Sequence, residues 1–222
     1  LVARRVAREP LAYITGTREF WSLSIDVSPA VLIPRPETEL LLESALEHFH
    51  RGQALRILDV CTGSGCVAVG LAREFPKGEV NASDISDEAL DVARRNVARY
   101  GLASRVRCVQ ADLLAGLPGP FDLIVANPPY IPAGDEKTLQ PEVREFEPSG
   151  ALFAGADGLR IIRRLVTEAG RALASDGILI FEFGAGQDAA VEQLIEAVPE
   201  LTLLEVKHDL QDIPRAAVVQ KA

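Results

Sequence analysis

Phe121-Asp122-Leu123-Ile124-Val125-Ala126-Asn127-Pro128-Pro129-Tyr130 joins an apolar run of strand length to an amide, two prolines and an aromatic ring. A run with so little polar alternation reads as a strand buried on both faces of a parallel sheet. Open α/β sheets bind their ligands outside the carboxyl ends of such strands, where Asn127 to Tyr130 fall. Each proline fixes its own φ and restricts the residue before it, so Asn127 leaves the sheet in an extended conformation. A ligand NH2 group can then donate to the Asn127 side-chain oxygen and to a proline carbonyl, with its remaining electron pair aimed outward. The competing reading is a turn that merely follows a strand, since Asn and Pro are common turn formers.

Outward from this stretch the chain alternates strand and helix patterns. Leu55–Val60, Val80–Asp84, Val106–Gln110, Phe121–Ala126, Ile178–Phe183, Leu201–Val206 and Ala216–Val219 are the expected strands. Helical spacing is expected over residues 37–49, from the glycines after Val60 to Pro76, and over 87–100, Leu159–Leu173 and Ala189–Ala197. The expected fold class is α/β, with a doubly wound, seven-stranded, mostly parallel sheet of Rossmann-like form. Ahead of it, residues 1–16 read as the end of a helix and a linker, and residues 17–36 as a β-hairpin joined near Asp26. Residues 37–222 then form the main domain. With no initiating Met and a helical pattern already under way at Leu1, an upstream segment is expected.

The 222 residues carry 23 basic and 32 acidic side chains, a formal charge of −9. That balance disfavours an extended phosphate-binding surface, so stable nucleic acid binding is not expected. Cys61, Cys66 and Cys108 are odd in number and form no CxxC pair, which suits a reducing, cytoplasmic compartment. His48, His50 and His208 form no metal-ligand pattern, and no metal site is expected. No apolar run reaches membrane-spanning length.

Asp59-Val60-Cys61-Thr62-Gly63-Ser64-Gly65 follows the first central strand. Gly63 and Gly65 permit a tight turn and close backbone approach, and the next helix can offer its amides to an anion. The pattern departs from G-x-G-x-x-G at its third position, which is Ala68, and it lacks a P-loop Lys. Asp84 ends the next strand, 19 residues past Gly65, where a carboxylate can accept both hydroxyls of a ribose; helix capping is its alternative. Asp112, after the third strand, can accept from an exocyclic amine while Leu113 packs beside the ring; here too a cap or turn role is the alternative.

Together, Leu32-Ile33-Pro34-Arg35-Pro36-Glu37-Thr38-Glu39, the Asp59 to Gly65 turn, Asn127-Pro128-Pro129-Tyr130-Ile131, and Leu139-Gln140-Pro141-Glu142-Val143 with Glu147-Pro148 carry a specific resemblance. The chain resembles the class I S-adenosylmethionine-dependent methyltransferases, and more narrowly the peptide chain release factor protein-(glutamine-N5) methyltransferases. The resemblance implies a small helical domain before the catalytic one, of which residues 1–16 are the end. It implies S-adenosyl-L-methionine as cofactor, with Cys61, Thr62, Gly63, Ser64, Gly65, Asp84, Asp112, Leu113 and Asn127 around it. It also implies that Asn127, Pro128, Pro129 and Tyr130 bind a glutamine of a bacterial-type release factor, with Asn127, Pro128 and Tyr130 at the reacting nitrogen. A monomeric enzyme is expected. Methylation of a glutamine in a ribosomal protein, or of adenine N6 in nucleic acid, remains open, because each presents the same planar NH2. A non-enzymatic interaction module is the reading of another class.

Two residues depart from the family pattern. Cys61 stands where the first glycine of the turn is usual, and Asp212 replaces a glycine in Asp209-Leu210-Gln211-Asp212-Ile213-Pro214-Arg215. A positive φ at Cys61 would carry strain. The connection from Ile131 to about Gly158 is too long for a plain loop and holds Leu139, Val143, Phe146, Leu152 and Phe153, so a lid or substrate wall is expected there.

Overall fold

Val60 and Ala126 lie side by side in the middle of the sheet, the last paired residues of two parallel strands that run on into the glycine turn and into Asn127. A computed structural model describes all residues, 1–222. In chain order it has α1 (Val2–Val6), α2 (Leu11–Thr15), β1 (Thr17–Phe20), β2 (Leu23–Asp26), α3 (Glu39–His48) and β3 (Arg56–Val60). Next come α4 (Cys66–Glu74), β4 (Glu79–Asp84), α5 (Asp87–Arg99), β5 (Val106–Gln110), β6 (Phe121–Ala126) and α6 (Pro141–Phe146). The chain closes with α7 (Arg160–Ala172), β7 (Leu173–Glu182), α8 (Asp188–Glu196), β8 (Leu201–His208) and β9 (Pro214–Lys221).

The sheet has seven strands in the order β5-β4-β3-β6-β7-β9-β8. Strands β3 to β7 are parallel, and β9 runs antiparallel to both β7 and β8. The expected doubly wound, mostly parallel sheet is therefore present. Because β4 and β5 extend the sheet on one side of β3 and β6 to β9 on the other, the direction of winding reverses between β3 and β6. That switch point opens a crevice at the strand ends. The core forms two layers, one on each face: Ile57, Val80, Leu123 and Ile180 pack with α3, α4 and α5, and Leu58, Ile124, Leu179 and Phe181 pack with α7 and α8. Pro214 takes the first position of β9, where a missing N–H breaks no interior rung. No helix is long and apolar enough to cross a membrane.

The hairpin differs from expectation. Its strands are joined at Trp21-Ser22 rather than near Asp26, and the chain after Asp26 is irregular up to Pro36. Trp21 and Ser22 both have positive φ, 52° and 57°, the conformation of a tight hairpin turn normally supplied by Asn-Gly. Tertiary bonds hold it: Glu39 accepts from the Trp21 backbone N–H at 2.7 Å, and Glu74 accepts from Trp21 Nε1 at 2.8 Å. The buried Asn96 of α5 fastens the far end. Its Oδ1 accepts from Asp26 N at 2.8 Å, and its Nδ2 donates to Asp26 O at 2.9 Å and to Ser64 O at 2.8 Å.

Both departures from the family pattern have positive φ, 58° at Cys61 and 62° at Asp212. An L-residue in this region gives up about 1–2 kcal/mol relative to glycine, while glycine gives back about 0.4–1 kcal/mol through the entropy of the unfolded chain. Asp212 is exposed and its side chain adds no packing. Asp212→Gly should therefore stabilise the protein by about 0.5–1 kcal/mol, read as a rise in the denaturation midpoint at constant slope. Cys61 packs on the core beneath the sheet, so Cys61→Gly gives up about 0.8 kcal/mol of burial for a similar backbone gain and should be close to neutral.

Candidate active site

At the switch point the chain encloses two cavities. The larger, about 540 Å³, is walled by the β3 turn, the ends of β4 and β6, and the segment after β5. Cys61, Thr62, Gly63, Ser64, Asp84, Asp112, Leu113 and Asn127 all line it, together with Asp59 and Pro129. The smaller, about 340 Å³, is lined by Asn127, Pro128, Tyr130 and Arg35 and by residues of the long connection after Ile131. Asn127 is the one polar side chain common to both; Leu32 and Ala151 complete the shared wall.

The turn after β3 is held from below. Asp59 is buried in β3, where its carboxylate accepts from the Thr62 hydroxyl and from Ala68 N at 3.1 Å. Asp84 accepts from Gly63 N at 2.9 Å through one oxygen and from Ser86 N at 3.0 Å through the other. Each Asp84 oxygen keeps a lone pair for a ligand hydroxyl. Capping of α5 falls to Ser86, whose Oγ accepts from Ala89 N at 3.1 Å, so Asp84 is free of the capping role. Asp112 is exposed and paired with Arg164 at 3.1 Å, so one of its oxygens is already engaged.

Two expected contacts fall elsewhere. Gly65 is absent from the cavity wall; it has φ 78°, and a Cβ there would lie 3.1 Å from the Ala93 Cβ, so this glycine is needed for helix packing. Pro129 faces the larger cavity, while Pro128 and Tyr130 face the smaller.

Burial pushes the Asp59 carboxyl up to about 7 from 3.8, against its hydrogen bonds from Thr62 and Ala68. Between these values the folded state holds more protons than the unfolded chain, so this group's contribution to stability is present below pH ~4 and is lost as pH rises through about 7. Relative to Asp59→Asn, the wild type should lose up to about 1.4 kcal/mol per pH unit across that window, measured by denaturant titration at several pH values. A pH-independent difference would remove the ionisation argument. Burial likewise raises Asp84, and lifts the Cys61 thiol well above the range in which thiolates form.

The amide of Asn127 is not free to turn. Its Nδ2 donates to Thr38 Oγ1 at 2.9 Å, the Thr38 hydroxyl donates to Glu182 Oε2 at 2.7 Å, and the Tyr130 hydroxyl donates to Glu182 Oε1 at 2.9 Å. Thr38 and Glu182 are both buried, and neither was singled out from the sequence. A carboxylate inside the apolar run Ile178–Phe183 was the available signal, as was Asp59 within Leu55–Val60.

The connection after Tyr130 is a structured wall. It contains α6 and two short 3-10 turns, and a parallel bridge between Ile131 and Phe153 closes its base. Leu139, Gln140, Val143 and Leu152 face the smaller cavity. The buried Glu147 anchors it, accepting from Ile33 N at 3.2 Å and from the Arg35 guanidinium.

Residues 36–145 match the family model described as "Methyltransferase small domain". The chain is 45% identical to a release factor glutamine methyltransferase of Bradyrhizobium diazoefficiens over 98% of its own length and 74% of that protein. The chain belongs to the release factor glutamine methyltransferase family. A second member, from Koribacter versatilis, is 44% identical over 99% of this chain and 78% of the relative. Among solved structures, a methyltransferase of Pyrococcus furiosus superposes with a TM-score of 0.66 at 21% identity, covering 99% of this chain and 96% of that one, which bears on the fold alone. Family membership makes the chain an enzyme of methyl transfer and agrees with the resemblance carried by Leu32–Glu39 and Asn127–Ile131.

Proposed function

We propose that this protein transfers a methyl group from S-adenosyl-L-methionine to the side-chain amide nitrogen (N5) of the glutamine in the Gly-Gly-Gln motif of a peptide chain release factor. The observation that carries the reading is Asn127, set in the wall between a nucleoside-sized cavity and a smaller one with room for a substrate side chain. Asp84 is suited to a ribose, Asp112 and Leu113 to an adenine, and the Cys61 to Ser64 backbone to the amino-acid portion of the cofactor. The Asp84 carboxylate favours a cationic guest; Asp112 is offset by Arg164, which with Arg160 lines the same cavity.

When bound, the cofactor supplies an electrophilic methyl on a positively charged sulfur. An amide nitrogen is a weak nucleophile because its electron pair is delocalised into the carbonyl. With Nδ2 given to Thr38, Asn127 offers only Oδ1 to the substrate NH2, and the Pro128 carbonyl is a second acceptor. Both acceptors favour the positive charge that develops on the nitrogen as the N–C bond forms and the S–C bond breaks. The methylated nitrogen would then give its extra proton to water. Tyr130 stays a neutral donor, since burial and the neighbouring Glu182 raise its hydroxyl far above its ordinary range.

We read the enzyme as a cytoplasmic monomer without stable nucleic acid binding. The −9 charge and three unpaired cysteines support this. Residues 1–16 are read as the end of a helical domain and the rest of the chain as hairpin and catalytic domain. Adenine-N6 transfer is the rival that shares the NH2 chemistry. The protein, given labelled cofactor with release factor, ribosomal protein and nucleic acid, should label the release factor glutamine. Label on adenine with the glutamine unmodified would overturn the assignment.

A further inference from the structure

The hydroxyl of Thr38 has one proton, and Glu182 in its ionised form has none to give; burial raises the Glu182 carboxyl, while the hydrogen bonds from Thr38 and Tyr130 favour the ionised form. Tyr130 occupies Glu182 Oε1, and Thr38 occupies Oε2. With its proton spent on Glu182, Thr38 can only accept from Asn127, which forces Nδ2 inward and Oδ1 toward the substrate. Reversing the amide would set a carbonyl oxygen against the lone pairs of Thr38 and present an NH2 donor to a substrate NH2 donor.

We propose that Thr38 and Glu182 are positioning residues for the methyl-acceptor site, fixing the direction in which the Asn127 amide points. The proposal rests on the reading of Asn127 as the acceptor for a substrate NH2. The three residues come from separate parts of the chain: Thr38 immediately precedes α3, Asn127 follows β6, and Glu182 ends β7. Thr38 and Glu182 are each 2% exposed, so water does not compete for their bonds. The proline-rich entry to α3 thereby has a role at the reacting nitrogen. It delivers one hydroxyl to the point between an amide and a carboxylate.

Thr38→Val keeps the shape of the side chain but lets the amide turn. Thr38→Ser keeps the hydroxyl. Glu182→Gln puts a donor where only an acceptor serves, so the direction of the relay is no longer imposed. The expected result is a fall in kcat of about 10- to 100-fold for Thr38→Val and for Glu182→Gln with the release factor as substrate, and a much smaller change in cofactor affinity. Thr38→Ser should recover most of what Thr38→Val loses. In 15N–1H spectra one Asn127 amide proton should show the shift of a hydrogen-bonded proton in the wild type and in Thr38→Ser, and lose it in Thr38→Val. Unchanged kcat in folded Thr38→Val, or an unchanged Asn127 amide signal, overturns the proposal. A wild type that fails to methylate glutamine overturns the function instead, and the amide signal still decides the relay.

Discussion

Asn127→Ala should lower the single-turnover rate of glutamine methylation by about 10²- to 10³-fold, the cost of removing one preorganised group that stabilises developing charge. The side chain contributes no buried apolar core, so the fold should survive the change. Asn127→Asp is the more pointed variant. It retains an acceptor oxygen, but its second oxygen meets the Thr38 hydroxyl, whose proton is already committed to Glu182. With both carboxyls ionised the two share one hydroxyl proton, and the rate should then fall nearly as far as in Asn127→Ala. As pH drops, the introduced carboxyl takes up a proton that it can donate to Thr38, and part of the rate should return. An Asn127→Ala rate within tenfold of the wild type, with glutamine substrate bound, would sink the mechanism.

Asp84→Ala should weaken cofactor binding by about 2–4 kcal/mol, roughly 30- to 1,000-fold in Kd, through the loss of charge-assisted bonds to the ribose hydroxyls. A second cost is independent of any ligand. Gly63 N and Ser86 N both end on this carboxylate, and their removal from it leaves two donors in the wall of the larger cavity unpaired. The melting temperature of the protein alone should therefore fall as well. Asp84→Asn should do little better, because no orientation of an amide places oxygens toward both N–H groups. Calorimetric titration with the cofactor and melting without it separate the two effects. Tight cofactor binding by Asp84→Ala would remove the ribose assignment.

The centre of the sheet was legible because β6 and β7 carry the apolar runs Leu123–Ala126 and Ile178–Phe181, with Asn127 and Gly184 after their carboxyl ends. For the same reason Asp84 and Asn127 stood out as polar residues at strand ends. The hairpin turn was not legible, since Trp21-Ser22 has no local turn chemistry and adopts positive φ through bonds to Glu39 and Glu74 from elsewhere in the fold. Gly65 lies against Ala93 of α5, and a glycine required by a neighbouring helix looks, in sequence, like one required by a ligand. Thr38 and Glu182 were hidden for a related reason. Their roles exist only once residues 144 positions apart have been folded together, and no spacing rule reports that.

Asn96 joins parts of the molecule that sequence would treat as separate modules. One amide spends both donors and its acceptor on backbone atoms, two from the hairpin and one from the glycine turn after β3. The hairpin and the turn thus travel as one inheritance. A hairpin grafted from a relative will seat only if its backbone meets this amide at the same height, and a poorly seated graft will be felt first as a loosened Ser64 carbonyl at the edge of the larger cavity, in a strand-end loop the graft never touches.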